Sequence, residues 1–173
     1  MNFNELVQQF GIRQCYKKKS YVFSQGDEDN YIHFVLEGVL KACYYDEDGK
    51  EYIKSFLFPG DNIASSQALS GGLCSFSLYC LKETKLLKLS YQQVRQAADN
   101  NLEFASSIID LLMSFSMKKE QREFELLCLS AEQRYKQLLA KSPDISQQIT
   151  QNDIARYLGI TPVALSRIKH KPR

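Results

Sequence analysis

Apolar residues recur along the chain with two different periods, and the change of period divides it. Phe3, Leu6, Val7 and Phe10 lie three to four residues apart, which predicts a short amphipathic helix ended by Gly11. The pattern then becomes that of strands: residues 21–23, 32–36, 39–45, 52–58, 75–81 and 85–89 are short β-branched or aromatic runs. Gly, Pro, Asp and Asn separate them, and Asp46-Glu47-Asp48-Gly49-Lys50 reads as a hairpin loop. Closely spaced strands without intervening helices predict an antiparallel sandwich or barrel over roughly residues 14–90, not a doubly wound sheet. Gln25-Gly26-Asp27, Glu37-Gly38 and Pro59-Gly60-Asp61 each fit a tight turn, a backbone role and not a catalytic one.

Helical spacing returns at residues 91–98, and Asn100 with Glu103 is expected to cap a much longer helix running to about Leu129. That helix carries two apolar stripes. Leu102, Ala105, Ile109 and Leu112 form one; Phe104, Ile108, Leu111 and Phe115 form the other. Two stripes need two partners: the chain's own β domain and, as in a parallel coiled coil, the same helix of a second copy. Burial of both within one chain is the alternative. Ser130 with Gln133 then caps a further helix, so the long one breaks there.

Residues 149–171, ITQNDIARYLGITPVALSRIKHK, read as two short helices joined by a tight turn. Thr150 and Asp153 form a capping pair, Ile154, Ala155 and Leu158 recur on one face, and Gly159 supplies the left-handed position where the helix stops. Thr161 caps the next helix and Pro162 stands at its first position, where a missing amide proton costs nothing. In this second helix Ala164, Leu165 and Ile168 share one side. Val163, Ser166, Arg167 and His170 share the other. A packing face, a polar outer face with arginine and a glycine turn are the features of a helix-turn-helix that lays its second helix in the DNA major groove. An ordinary helical hairpin is the plain alternative.

Charge favours the first reading, because DNA affinity depends mainly on neutralising phosphates. Residues 131–173 hold 8 Lys or Arg against 3 Asp or Glu, whereas residues 1–130 hold 14 against 17. The chain of 173 residues is otherwise near neutral, at +2, with 44% apolar residues, as in soluble globular proteins. It contains no apolar run long enough to cross a bilayer and no basic-then-apolar start, so a cytoplasmic protein without membrane association is expected. Cys15, Cys43, Cys74, Cys80 and Cys128 are scattered and odd in number, and only His33 and His170 accompany them, so neither a disulfide framework nor a metal site is expected.

The order of these parts resembles the Crp/Fnr family of bacterial transcription regulators. The resemblance rests on Gln25-Gly26-Asp27, Glu37-Gly38, Phe58-Pro59-Gly60-Asp61 with Ile63 after it, and the final LGITPVALSRIK. It implies an α+β protein: an N-terminal antiparallel β-roll, double-stranded and jelly-roll-like, as sensor (residues 1–98), a long dimerisation helix (99–129) and a small helical helix-turn-helix domain (130–173). It also implies a homodimer, double-stranded DNA as partner and contact with RNA polymerase. The outer-face residues Pro162, Val163, Arg167 and His170 then face the groove, with Arg167 the base reader, because its paired donors match the acceptors of guanine. Thr150, Gln151, Thr161, Ser166, Lys169 and Lys171 are placed to touch phosphates.

Departures from the family pattern lie at the DNA-binding end, where Pro162 and Val163 hold the first two positions of the second helix in place of the polar or charged residues frequent in the family, and in the sensor. Nucleotide-binding members place a Gly-Glu pair and an Arg-Ser pair after the Gly-Asp turn; by counting, Ala64-Ser65 and Cys74-Ser75 stand there, in a pocket segment that includes Ser66 and Gln67. The acid and the arginine are missing, and no Arg lies between Arg13 and Arg95, so cyclic AMP is not expected to bind in the family's way and no cofactor is predicted. Lys54 and Lys82 offer charge without the guanidinium fork and are expected at the surface. Only Cys15 precedes the roll, too few ligands for an iron–sulfur cluster, and Cys74 is expected to be a packing thiol, with redox sensing the alternative. The sequence stops at Arg173, before any β-wing, consistent with a short-tailed branch of the family or with a truncated chain. Two other classes remain: a ligand-binding or interaction module whose tail contacts protein, and a cupin-type enzyme, which two distant histidines do not support.

Overall fold

The computed structural model describes residues 3–170. Helix α1 (Phe3–Phe10) leads into eight strands: β1 (Ile12–Tyr16), β2 (Tyr21–Phe23), β3 (Tyr31–Glu37), β4 (Leu40–Tyr45), β5 (Glu51–Leu57), β6 (Asn62–Ile63), β7 (Ser77–Cys80) and β8 (Thr84–Ser90). The short helix α2 (Ser66–Leu69) lies between β6 and β7. After β8 come α3 (Tyr91–Asp99), α4 (Leu102–Cys128), α5 (Ala131–Lys141), α6 (Ile145–Gln148), α7 (Gln151–Tyr157) and α8 (Pro162–Lys169). The strands form two antiparallel sheets, ordered β1-β8-β3-β6 and β2-β7-β4-β5.

Strand alternation explains why three separate apolar layers form. Inner residues of both sheets, among them Phe23, Val35, Leu40, Ala42, Leu78 and Leu86, make the central core. On the outside of the first sheet, Ile32 and Leu89 are covered by Leu6, Val94, Ala97 and Phe104 from α1, α3 and α4. On the outside of the second sheet, Phe56 and Phe58 meet Leu138, Ile149, Ile154, Ala155 and Leu158 of the C-terminal helices. The C-terminal unit is thus packed onto the roll, not tethered beside it. Gly38 is required where it stands: its φ is +99°, and a Cβ there would come within 2.5 Å of the Glu83 carbonyl oxygen.

The two stripes of α4 separate as their spacing predicts. Phe104 is buried and Ile108, Leu111 and Phe115 are partly covered, whereas Leu102, Ile109 and Leu112 are 88%, 60% and 58% exposed and Ala105 lies at the boundary. Met113, Met117, Phe124 and Leu127 extend the uncovered stripe.

Several local expectations need correction. The cap of α4 is Asn101, whose side chain accepts from the Phe104 amide at 2.9 Å; Asn100 instead ends α3 and donates to the Gln96 carbonyl. Strand β1 was not legible, because four of its five residues are exposed and it alternates weakly. The two-residue β6 and the short α2 and α6 are below the length at which a period can be read.

Candidate nucleic-acid interface and sensor interior

The junctions of the C-terminal helices are built as their residue types demand. The Thr150 hydroxyl accepts from the Asp153 amide at 3.1 Å and donates to the Asp153 carboxylate at 2.8 Å, starting α7. Gly159, at φ +69°, ends it: the Ile160 amide reaches back to the Ala155 carbonyl and the Gly159 amide to that of Arg156, both bonds of a Schellman turn. Thr161 then caps α8 through the Ala164 amide at 3.2 Å, with Pro162 at the first helical position.

Leu165 of α8 is buried and Ala164 and Ile168 are partly covered, while Thr161, Pro162, Val163, Ser166, Arg167, Lys169 and His170 are exposed. Thr150 and Gln151, at the start of α7, are exposed beside them, and Lys169 donates to Gln151 at 3.0 Å. Nine of the ten sequence-selected positions are thus exposed, on or beside α7 and α8. Lys171, the tenth, lies outside the described residues.

Sequence reasoning missed how firmly this unit is held. Lys41, 7% exposed on β4, donates to Glu51 at 2.8 Å and to Asp153 of α7 at 3.0 Å. Arg156 of α7 donates to the same Glu51 oxygen at 2.8 Å, and the Tyr45 hydroxyl donates to the other at 3.0 Å. Burial alone would lower the pKa of Lys41, but its bonds to the two carboxylates outweigh that and hold it above the ordinary lysine value. Burial would likewise raise Glu51, yet Lys41, Tyr45 and Arg156 keep it below the usual glutamate range. The signal was visible as a lysine between Leu40 and Ala42 in an otherwise apolar strand. Its partners were not.

A second set of contacts ties the end of α4 to the same unit. The Arg122 guanidinium stacks 3.8 Å from the centre of the Tyr157 ring and donates to the Tyr157 carbonyl; Arg134 of α5 donates to the Leu158 carbonyl at 2.9 Å. Both satisfy the open carbonyl end of α7.

In the sensor, Ser65 and Cys74 are buried, Ala64 and Ser75 half-buried, and Ser66 and Gln67 exposed. The Ser65 hydroxyl is already engaged, accepting from the Ala68 amide at 3.5 Å to cap α2 and from the Ser75 amide at 3.2 Å. Cys74 packs in the central core, where burial, helped by Asp29 and Asp27, pushes its thiol up to about 11, so it is a neutral packing group at physiological pH. His33 is buried against Asp29 at 3.0 Å, while His170 ends α8, so the two do not meet. Among the described residues no helix is long and apolar enough to cross a membrane.

A family profile described as Cyclic nucleotide-binding domain matches residues 13–101. The regulatory protein HlyX of Actinobacillus pleuropneumoniae is 28% identical over 88% of this chain and 68% of its own length. An anaerobic regulatory protein of Aggregatibacter actinomycetemcomitans is 26% identical over 97% of this chain and 70% of its own. The chain belongs to the Crp/Fnr family. Its architecture agrees with the structure of FixK2 from Bradyrhizobium japonicum, with a TM-score of 0.80 at 18% identity over 92% of this chain and 82% of that one. As a Crp/Fnr member the protein is a transcriptional regulator, and the two relatives are described as regulatory proteins.

Proposed function

We propose that the protein reads double-stranded DNA as a homodimer through α8, under the control of a β-roll that does not clamp a cyclic phosphate. The observation that carries the reading is the outer face of α8: Arg167 and its neighbours are fully available, on a unit that the Lys41 cluster and Arg122 hold in one orientation. Phosphate contacts from Thr150, Gln151, Thr161, Ser166 and Lys169 would set the register and Arg167 would read a base. Two such faces need to lie about 34 Å apart, one turn of the duplex.

Dimerisation follows from α4. An uncovered stripe of Leu102, Ile109, Leu112, Met113, Met117 and Phe124 on one helix is too continuous for a monomer surface and matches a helix-to-helix seam. Ile109→Asp combined with Leu112→Asp places unpaired charges in that seam, and the dimer dissociation constant is expected to rise by roughly two orders of magnitude or more. Sedimentation equilibrium measures it. A double variant that stays dimeric at micromolar concentration would move the interface elsewhere.

The absence of a cyclic phosphate clamp is supported by what occupies its place. Ser65 is spent on capping, Cys74 is packed into the core, and the flanking arginines, Arg13 and Arg95, are both exposed on other elements. Calorimetric titration with cyclic AMP is expected to give no saturable heat. Saturable one-to-one binding that Ser65→Ala weakens would reject this part of the reading.

A further inference from the structure

The outer face of α8 has a hydrocarbon side chain at its centre. Leu165, 1% exposed, marks the packed side of the helix. At about 100° per residue, Val163 and Arg167 each lie about 160° from Leu165 and about 40° from each other, so they share the middle of the opposite face. Val163 is 62% exposed there, and outside α4, whose uncovered stripe has a partner in the proposed seam, it is the most exposed large apolar side chain among those described. Its own turn gives it no polar company. Pro162, Val163 and Ala164 have no side-chain donor or acceptor, and the Thr161 hydroxyl before them is engaged in capping the helix through the Ala164 amide at 3.2 Å. Hydrogen-bonding side chains begin only with Ser166 and Arg167, both exposed.

In a helix-turn-helix seated in the major groove, the N-terminal residues of the second helix come nearest the base edges. The base pair beneath the first turn of α8 therefore meets hydrocarbon and no hydrogen-bonding group. Thymine alone answers with hydrocarbon of its own, because its 5-methyl group projects into the major groove. Cytosine presents an amine there, and the purines present ring-nitrogen and exocyclic polar groups, which would lose water against Val163 without gaining a partner. Four residues separate Val163 from Arg167, about 6 Å along the helix axis, or roughly two base-pair steps of about 3.4 Å.

We propose that Val163 is a specificity-determining residue that reads the 5-methyl group of a thymine within about two base pairs of the guanine bonded by Arg167. The proposal rests on the reading of α8 as the helix that contacts DNA and deepens it, naming a second base and the atom of that base by which it is told apart. Because the recognised group is a methyl and not a hydrogen-bonding edge, 5-methylcytosine at the same place is accepted where cytosine is refused.

The test uses the full chain and the two-fold symmetric duplex that it selects from a random pool, with affinity read by fluorescence anisotropy. Each thymine is replaced in turn, in both half-sites, by deoxyuridine, which removes the methyl and keeps the hydrogen-bonding edge. At one thymine near the guanine whose preference Arg167→Ala relaxes, affinity is expected to fall about tenfold, from about three- to fivefold for the methyl in each half-site. Exchange of the same T·A pair for C·G is expected to weaken binding further, and 5-methylcytosine in place of that cytosine to recover about threefold or more. Val163→Ala is expected to bind the thymine and uracil duplexes within about twofold of each other while keeping the guanine preference that Arg167 supplies. A selected half-site with no thymine near that guanine, uracil tolerated there by the wild-type protein, or a uracil penalty that persists unchanged in Val163→Ala overturns the proposal and leaves the Arg167 readout standing. If no duplex is selected, or Arg167→Ala binds the selected one as tightly as wild type, the reading of α8 fails and the proposal falls with it.

Discussion

Lys41→Met is expected to lower the unfolding free energy by about 3–5 kcal/mol at neutral pH, because it leaves the buried Asp153 carboxylate without its cation and Glu51 with Arg156 alone. Denaturant titration measures the loss, and the pH dependence identifies its cause. In the wild-type protein Glu51 has a lowered pKa, so its contribution is complete above the unfolded glutamate value and fades as pH falls through the folded one. Lys41 has a raised pKa, so its contribution is complete below the unfolded lysine value and fades only as pH rises through the folded one. Between these limits the cluster's contribution is flat. In the variant Glu51 lacks the Lys41 contacts that are the main cause of its lowered pKa, so the stability lost on acidification is smaller than in wild type and the gap narrows as pH falls. A gap that stays constant down to the carboxylate range would mean that packing, not charge, was lost. Replacing the set, Lys41→Met with Glu51→Gln and Asp153→Asn, should recover part of the stability, since the one charge left without its partner, Arg156, is half exposed to water.

Arg167→Ala is expected to weaken binding to a two-fold symmetric duplex, selected from a random pool by the wild-type protein, by about 1–3 kcal/mol. Arg167 is exposed, so its loss leaves the fold intact and the deficit belongs to the interface. The effect should fall unequally on sequences: preference at one base pair of each half-site relaxes, and affinity for unrelated duplexes changes much less. Lys169→Ala should act in the opposite manner, lowering affinity for all duplexes alike and reducing the salt slope by about one unit. Fluorescence anisotropy at several salt concentrations separates the two. If Arg167→Ala binds the selected duplex as tightly as wild type, α8 is not the reading element.

What the chain discloses locally was legible, and what it builds over distance was not. The stripe of Phe104, Ile108, Leu111 and Phe115 could be told from that of Leu102, Ile109 and Leu112 because helical period alone separates them. Thr150, Gly159, Thr161 and Pro162 act on residues no more than four or five positions away, and their junctions followed from residue type. Asn101, not Asn100, capped α4 because two adjacent asparagines offer the same chemistry, and only the end of α3 decides between them. The partners of Lys41 come from a neighbouring strand and from α7, so no window along the sequence could pair them. Lys54, half-buried over the Phe76 ring and not at the surface, was misplaced for a related reason: a bulge is a relation between β4 and β5, and one extra residue reverses the face on which every later side chain falls.

The two arginines at the close of α4 and the start of α5 carry a mechanical implication. With Tyr157 and Leu158 gripped by Arg122 and Arg134, the 27 residues of α4 form a stiff arm roughly 40 Å long that carries the C-terminal unit near its end. In the proposed dimer, a scissoring of about 5° between two such arms would swing each end by ~3.5 Å, one base-pair step along a duplex. Because Lys41 and Arg156 tie the same unit to the roll, a small adjustment near Phe104 and Ile108 would be amplified into a change of register only when roll and arm turn together as one lever.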